Sequence, residues 1–366
     1  MHFSHLSIIF FFCFLLNEST GQINVDSTER KWILNGYIEN FFVLNRNAAK
    51  ESNISEFQYN HNRNNIPAIN HAYMGVDHES RLFRMSLNAQ IGTYVKDNYS
   101  SEPKLIRNLY TAYTGFAINK EKSSWIDIGI FPSYIGFESI SAFDNLTLTR
   151  SLLAENSPYY LSGIRSNHKI GANNEIYVYA LTGWQKIKPT QGNSLPSFGF
   201  QWIKKVKNNN KINNSFFAGS NYPDNNRKWR YFNNFFWQHN IGKWSWIIGL
   251  DIGLEQKFKD SKTFNTWWSP VLITSYNFND KLKAAGRIEH YNDKSKVIVK
   301  TSNGNPLVGS GYSINIDYSP SSNMMYKAEW RQLFAGSDVF FGENSFSKKA
   351  EYLTISFSYR LSKNLF

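Results

Sequence analysis

From Lys31 onward the chain is built of segments about ten residues long in which apolar and polar side chains alternate, separated by polar connections rich in Gly, Asn and Ser. The clearest is Arg81 to Val95. Phe83, Met85, Leu87, Ala89, Ile91 and Thr93 fall on one face, and Arg84, Ser86, Asn88 and Gln90 on the other. A period of two puts successive side chains on opposite sides of a strand, so one face is apolar and the other wet. The same reading gives a first strand at Trp32 to Asn45, then His71 to His78 with Arg81 to Val95, and Asn108 to Asn119 with Ser124 to Phe131. Tyr160 to Lys169 with Glu175 to Trp184, Ser197 to Val206 with Lys211 to Ser220, and Trp229 to Asn240 with Trp244 to Glu255 follow. Thr263 to Phe278 with Leu282 to Asp293, Leu307 to Tyr318 with Met324 to Ala335, and Lys349 to Leu361 bring the number to sixteen.

Short turns and long loops alternate strictly between these segments. That asymmetry and the even count predict an all-β fold, an antiparallel transmembrane β-barrel of about 16 strands with both termini on the short-turn side. Charges on the wet faces point the same way. Leu282, Ala284 and Ile288 oppose Lys283, Arg287 and Glu289; Tyr326, Ala328 and Trp330 oppose Lys327, Glu329 and Arg331. A Lys or Arg facing lipid at mid-bilayer costs about 2–4 kcal/mol, so these side chains are expected to face a lumen. A soluble sandwich with its wet face outward produces the same alternation, and strand number and loop asymmetry are what separate the two. Sixteen strands leave room for water, whereas eight are filled by their own side chains.

One stretch interrupts the rhythm. Gly129 to Tyr160 has neither strand nor helical periodicity and is the longest such gap after the leader. Loops beyond about a dozen residues without structure of their own usually carry function. The expectation is a third extracellular loop, about 132–159, that folds into the lumen and constricts it through Glu138, Asp144, Arg150 and Glu155. The wall would contribute Arg84, Gln90, Lys283, Arg287, Glu289, Lys327, Glu329 and Arg331 to the pore lining. A plain surface loop is the alternative.

Composition narrows the class. The chain has 366 residues; aromatics make up 17%, with 11 Trp, 21 Tyr and 29 Phe, while charged residues are only 19%. Aromatic girdles around a barrel account for that combination. An apolar run from Leu6 to Leu16, followed by small residues at Ser19 and Gly21, reads as a signal peptide over 1–21, too short to span a bilayer. The remaining 22–366 would form the barrel. The one cysteine, Cys13, lies in that leader, which leaves the exported chain without disulfides or thiolate metal sites. Export without a spanning helix fits the outer membrane of a Gram-negative cell, with membrane lipid as one partner. The formal charge is +12, but basic residues are dispersed and export removes nucleic acid as a partner. A weak preference for anionic solutes is the expectation from that charge.

Catalytic and metal chemistry find little support. The nearest candidate group is His71, Asp77 and His78, as a barrel phospholipase would need, yet an i to i+7 spacing puts the two histidines on opposite faces of a strand. Asp144 with Asn145, and Asp224, lie in turn sequences without an acidic calcium loop. No catalytic residue, metal or cofactor is assigned.

The segments QIGTY at Gln90, NYSSEP at Asn98, RNLYTAY at Arg107, GIFPSYIGFES at Gly129, DNLTLTRSLLAENSPYY at Asp144, GWQ at Gly183 and GNSLPSFG at Gly192 carry a family resemblance. In them the chain resembles the putative β-barrel porin-2 (OmpL-like) family of Bacteroidota outer-membrane proteins, over nearly all of its length beyond the leader. The resemblance implies a diffusion porin for small hydrophilic solutes and supplies no functional residues of its own. A channel selective for a sugar or oligosaccharide, with Phe137, Phe143, Tyr159 and Tyr160 as a stacking surface, is the alternative. Porins of this size are often homotrimers, an analogy at the level of the fold.

Overall fold

Sixteen strands pair antiparallel, each with its sequence neighbours, until the last meets the first and the barrel has no edge; a separate hairpin pairs Phe340–Phe341 with Phe346–Ser347. The computed structural model describes residues 31–45, 53–342 and 345–365; the leader expected over 1–21 lies outside them. In chain order the strands are β1 (Lys31–Leu44), β2 (Ala68–Glu79), β3 (Phe83–Ile91), β4 (Leu109–Ala117), β5 (Ser124–Pro132), β6 (Tyr160–Ile170), β7 (Asn174–Leu181) and β8 (Ser197–Val206). They continue with β9 (Asn210–Gly219), β10 (Arg230–Ile241), β11 (Trp244–Gln256), β12 (Phe264–Asn277), β13 (Leu282–Asp293), β14 (Leu307–Ser321), β15 (Met324–Ala335) and β16 (Lys349–Asn364). The closing pair runs from Ile33 opposite Asn364 to Leu44 opposite Leu353.

The alternation decides which face each row occupies. Along β14, Ile314 and Ile316 are more than half exposed while Ser313, Asn315 and Asp317 between them are buried. In a closed ring the exposed row is the outer wall, and its apolar character suits lipid; the buried polar row faces the interior. At the short-turn end the outer wall carries Trp237, Trp244, Trp246, Phe278, Tyr318, Tyr326 and Tyr359, all exposed. Trp244 packs on Tyr276 with ring centroids 4.8 Å apart. This is the aromatic belt that the composition anticipated.

Two local features depart from the periodicity. The strand expected over Arg81 to Val95 stops at Ile91, because Gly92 adopts φ 130° and the chain turns into a short helix, α1 (Thr93–Asn98). Tyr94 and Val95 are buried there with Tyr99 and Tyr160 in an aromatic cluster, so their alternation with polar neighbours is helical packing and not strand pleat. The non-periodic segment also contains one helical turn, α2 (Leu152–Glu155), in which the Ser151 hydroxyl accepts from the Ala154 amide.

Candidate functional site

The interior chemistry is densest on β13, β14 and β15. Arg287 and Glu289 alternate inward on β13, and Glu329 and Arg331 on β15, with Ser313 and Gly311 on the strand between. Side chains two strands apart are roughly 10 Å apart at the backbone and reach one another only over small residues. Here they do: Arg287 Nη2 lies 2.7 Å from Glu329 Oε1, and Arg331 Nη2 lies 2.6 Å from Glu289 Oε1. One turn further, Lys283 and Lys327 share Asp317 at 2.8 and 3.3 Å.

Segment 132–159 fastens onto this row. The Thr149 amide donates to Glu329 Oε2 at 2.5 Å and its hydroxyl to Oε1 at 2.9 Å. Arg287 Nη1 donates to the Thr149 carbonyl at 2.6 Å, and the Leu152 amide donates to Glu289 Oε2 at 2.6 Å. Lys327 Nζ reaches the Asn145 carbonyl at 2.8 Å, and the Leu148 amide reaches Asn315 Oδ1 at 3.0 Å. The segment is held on other walls as well. The Gly136 amide donates to Asn234 on β10 at 3.1 Å, Tyr134 to the Phe216 carbonyl on β9 at 2.8 Å, and Ala142 to the Tyr37 hydroxyl on β1 at 3.0 Å. Leu153 and Ala154 pack on Ile247, Val271 and Ile273, which are apolar side chains facing the interior of β11 and β12.

These contacts divide the residues expected to line a pore. Arg287, Glu289, Lys327, Glu329 and Arg331 are sealed beneath the segment, so they do not face open water as expected; their free valences are taken by its backbone. Gln90 is likewise buried, bonded to His71 at 2.9 Å and to the Arg107 carbonyl at 2.9 Å. Arg84 and Lys283 keep about a fifth of their side chains exposed. Within the segment, Asp144 is half exposed beside Arg360 at 3.8 Å. Glu138 accepts from the Ser151 amide and hydroxyl, and Glu155 accepts from the Tyr59 amide at 2.7 Å and Asn60 at 3.1 Å. Burial raises both carboxyls above the ordinary range, against the pull of Arg287 on Glu138 and of Arg150 on Glu155. The Arg150 guanidinium is buried against the faces of Tyr159 and Tyr94, 4.2 and 5.7 Å from the ring centroids.

On the opposite wall the sequence reading named Arg84 and Gln90 but missed Asp127 and Arg165. Arg84 on β3 and Arg165 on β6 both bind Asp127 on β5, at 2.7 and 2.6 Å, and Asp127 is fully buried between them. Asp77 and Arg165, with Asn35, Tyr73, Tyr110 and Tyr113, line a cavity of about 260 Å³. Arg165 stands with Asn167 and Lys169 on the polar face of β6, which is the signal that could have found it, whereas Asp127 shares its face of β5 with Trp125 and Phe131.

A closed, sixteen-stranded antiparallel ring with an apolar outer wall and a charged interior defines an outer-membrane β-barrel of the porin class. Residues 32–361 match the family model described as "Putative beta-barrel porin-2, OmpL-like", and the chain belongs to that family. Among solved structures it is similar in fold to an anion-selective porin from Comamonas acidovorans, at 8% identity and TM-score 0.62 over 91% of this chain and 100% of that one. It is similar also to Salmonella typhi OmpF in complex with daunomycin, at 10% identity and TM-score 0.62 over 92% and 99% of the two chains. Pseudomonas putida OprB aligns over 91% and 94% at 8% identity and TM-score 0.55. At such identities the likeness concerns the fold. No curated protein matches the chain. Family and fold together point to a channel and not to an enzyme.

Proposed function

We propose that the protein is a Gram-negative outer-membrane porin through which small hydrophilic solutes diffuse passively, and that segment 132–159 lies in the lumen and narrows it. The observation that carries this reading is the bonding of Thr149 to Glu329 and Arg287, interior side chains of β15 and β13 that lie well over a hundred residues away in sequence. On this reading Glu138, Arg150 and Glu155 stiffen the constriction and Asp144 edges it. Arg287, Glu289, Lys327, Glu329 and Arg331 anchor it, and Arg84 and Lys283 with Arg165 border the remaining passage, while Gln90 braces the wall behind. Residues 1–21 direct export, no cofactor takes part, and three copies assemble in the membrane. Planar-bilayer conductance of refolded protein, with and without a partial deletion inside 139–153, tests the central point. The deletion should raise conductance; an unchanged conductance overturns the constricting role.

A second reading, a channel selective for a sugar or oligosaccharide, draws support from the tyrosine wall. Phe137 and Tyr159 of the segment and Tyr160 at the start of β6 are engaged elsewhere, Tyr160 stacking on Tyr99 at 4.0 Å, Phe137 against Phe236 at 5.6 Å and Tyr159 against Arg150. Tyr73 and Tyr110, with centroids 4.9 Å apart, stand beside Asp77, Asn35 and Asn88 in the cavity of about 260 Å³, an arrangement of ring faces and hydrogen-bonding groups that suits a pyranose. Oligosaccharide-dependent block of single-channel current would favour this reading, and no block would favour the unselective pore.

A further inference from the structure

The eight long loops divide by charge into two contiguous halves of the rim. Loops 182–196, 220–229, 257–263 and 294–306 carry ten basic residues and two acidic ones, Asp224 and Asp260. In loops 45–67, 92–108, 133–159 and 336–348 the described residues include six basic and seven acidic ones. Because strand order in the barrel follows the chain, the first four loops are neighbours around the ring, between β7 and β14. Seven lysines of that half are exposed, among them Lys188, Lys259, Lys294 and Lys300.

The basic half borders a cavity on one side. Trp184, Lys186, Arg230 and Lys300 line this cavity, of about 510 Å³, whose other side is Glu155, Asn156 and Ser157 of the segment in the barrel. Two of the charges there are already matched: Arg230 pairs with Glu255 at 2.6 Å, and the Glu155 carboxylate is occupied by Tyr59 and Asn60. Lys186 and Lys300 have no acidic partner among the described residues. The interior beyond is balanced by comparison, with Arg287 and Arg331 matched to Glu329 and Glu289, and Arg84 and Arg165 set against Asp127 and Asp77.

We infer that this basic half-rim captures small anionic solutes, those bearing a carboxylate or phosphate group, and delivers them into the cavity beside Lys186 and Lys300. Selectivity for anions then resides at the mouth and not in the interior. The inference rests on the porin reading. Clustered charge of one sign at a concave mouth raises local counter-ion concentration and entry rate, an effect that salt screens. The same lysines could instead hold phosphates of lipid headgroups, but Lys186 and Lys300 border the cavity, where a solute passes and a lipid does not.

The test uses the refolded full chain in zwitterionic planar bilayers, with reversal potentials measured under potassium chloride gradients centred near 0.1 M and near 1 M. Wild type should favour chloride at low salt. The Lys186→Gln/Lys300→Gln double variant should lower the chloride-to-potassium permeability ratio by about twofold or more at 0.1 M and by less at 1 M, where the Debye length shrinks from about 10 to about 3 Å. Inorganic phosphate should block chloride current at lower concentration in wild type than in the variant. An open channel whose ratio and phosphate block are the same in both proteins overturns the inference and leaves the porin reading standing. Loss of bound anionic lipid in the variant with an unchanged ratio overturns it in favour of the lipid. No conductance from wild type overturns both readings.

Discussion

Arg287 and Glu329 meet across an intervening strand, guanidinium to carboxylate at 2.7 Å, and the Thr149 hydroxyl donates to the same carboxylate oxygen at 2.9 Å. The pair therefore joins two β-strands and the segment between β5 and β6 in one buried hydrogen-bonded knot. Both side chains are fully removed from solvent. A buried ion pair is weak evidence of net stabilisation, but breaking one by removing a single partner is costly.

Glu329→Ala should therefore destabilise the folded barrel by about 3–5 kcal/mol, because Arg287 is left buried with its nearest full-strength partner gone. The double variant Arg287→Ala/Glu329→Ala should lose less than the sum of the two singles. Denaturant unfolding of the refolded proteins, analysed as a double-mutant cycle, measures the coupling. Additive losses would mean that the pair does not act as a unit.

Gly311 allows the second cross-strand pair. A side chain there would run into Leu333 and the Gln332 carbonyl, beside the Glu289 carboxylate. Gly311→Val should cost about 1–3 kcal/mol and push Glu289 away from Arg331 and the Leu152 amide. Conductance should become noisier as α2 loses that anchor; unaltered current traces together with wild-type stability would remove the proposed role of this glycine.

Asp127 is the shared counter-ion of Arg84 and Arg165. Asp127→Asn keeps the shape but leaves two guanidinium groups beside the cavity with one carboxylate fewer. The ion preference should move toward anions by a measurable shift in reversal potential, in the direction opposite to that expected for loss of Lys186 and Lys300. A shift toward cations would place these arginines away from the ion path.

Glu138 and Glu155 have carboxyls raised by burial above the ordinary value of 4.5. A carboxyl held higher in the folded protein stabilises the fold fully below the ordinary value, and that contribution is lost as pH rises through the raised value. Between the two, lowering the pH should stabilise wild type relative to Glu138→Gln/Glu155→Gln, in which neither position titrates. Thermal midpoints of both proteins over that window check this. Arg287, Arg150, Ser151 and Asp251 face Glu138, while Arg150, Tyr59, Asn60 and Arg331 face Glu155.

Much of the architecture was legible without coordinates. The strand pairs, the closing of β16 on β1 and the inward direction of Lys283, Arg287, Glu289, Lys327, Glu329 and Arg331 all follow from a two-residue period read beside the cost of charge in lipid. The period failed at Gly92, where a positive φ turns a run that still alternates into α1. It was also silent on Ile247, Val271 and Ile273, apolar side chains on the interior face that make sense only once Leu153 and Ala154 lie against them.

Strand number, closure and the split between lipid-facing and interior side chains were determined by the sequence alone, because each depends on the nature of neighbouring residues and on the solvent a strand must cross. Which interior charges are covered and which remain beside an opening was decided only by the tertiary structure. Thr149 and Glu329, or Arg84 and Asp127, come together through ring closure and the course of one long segment, and no local period records contacts between residues so far apart in the chain.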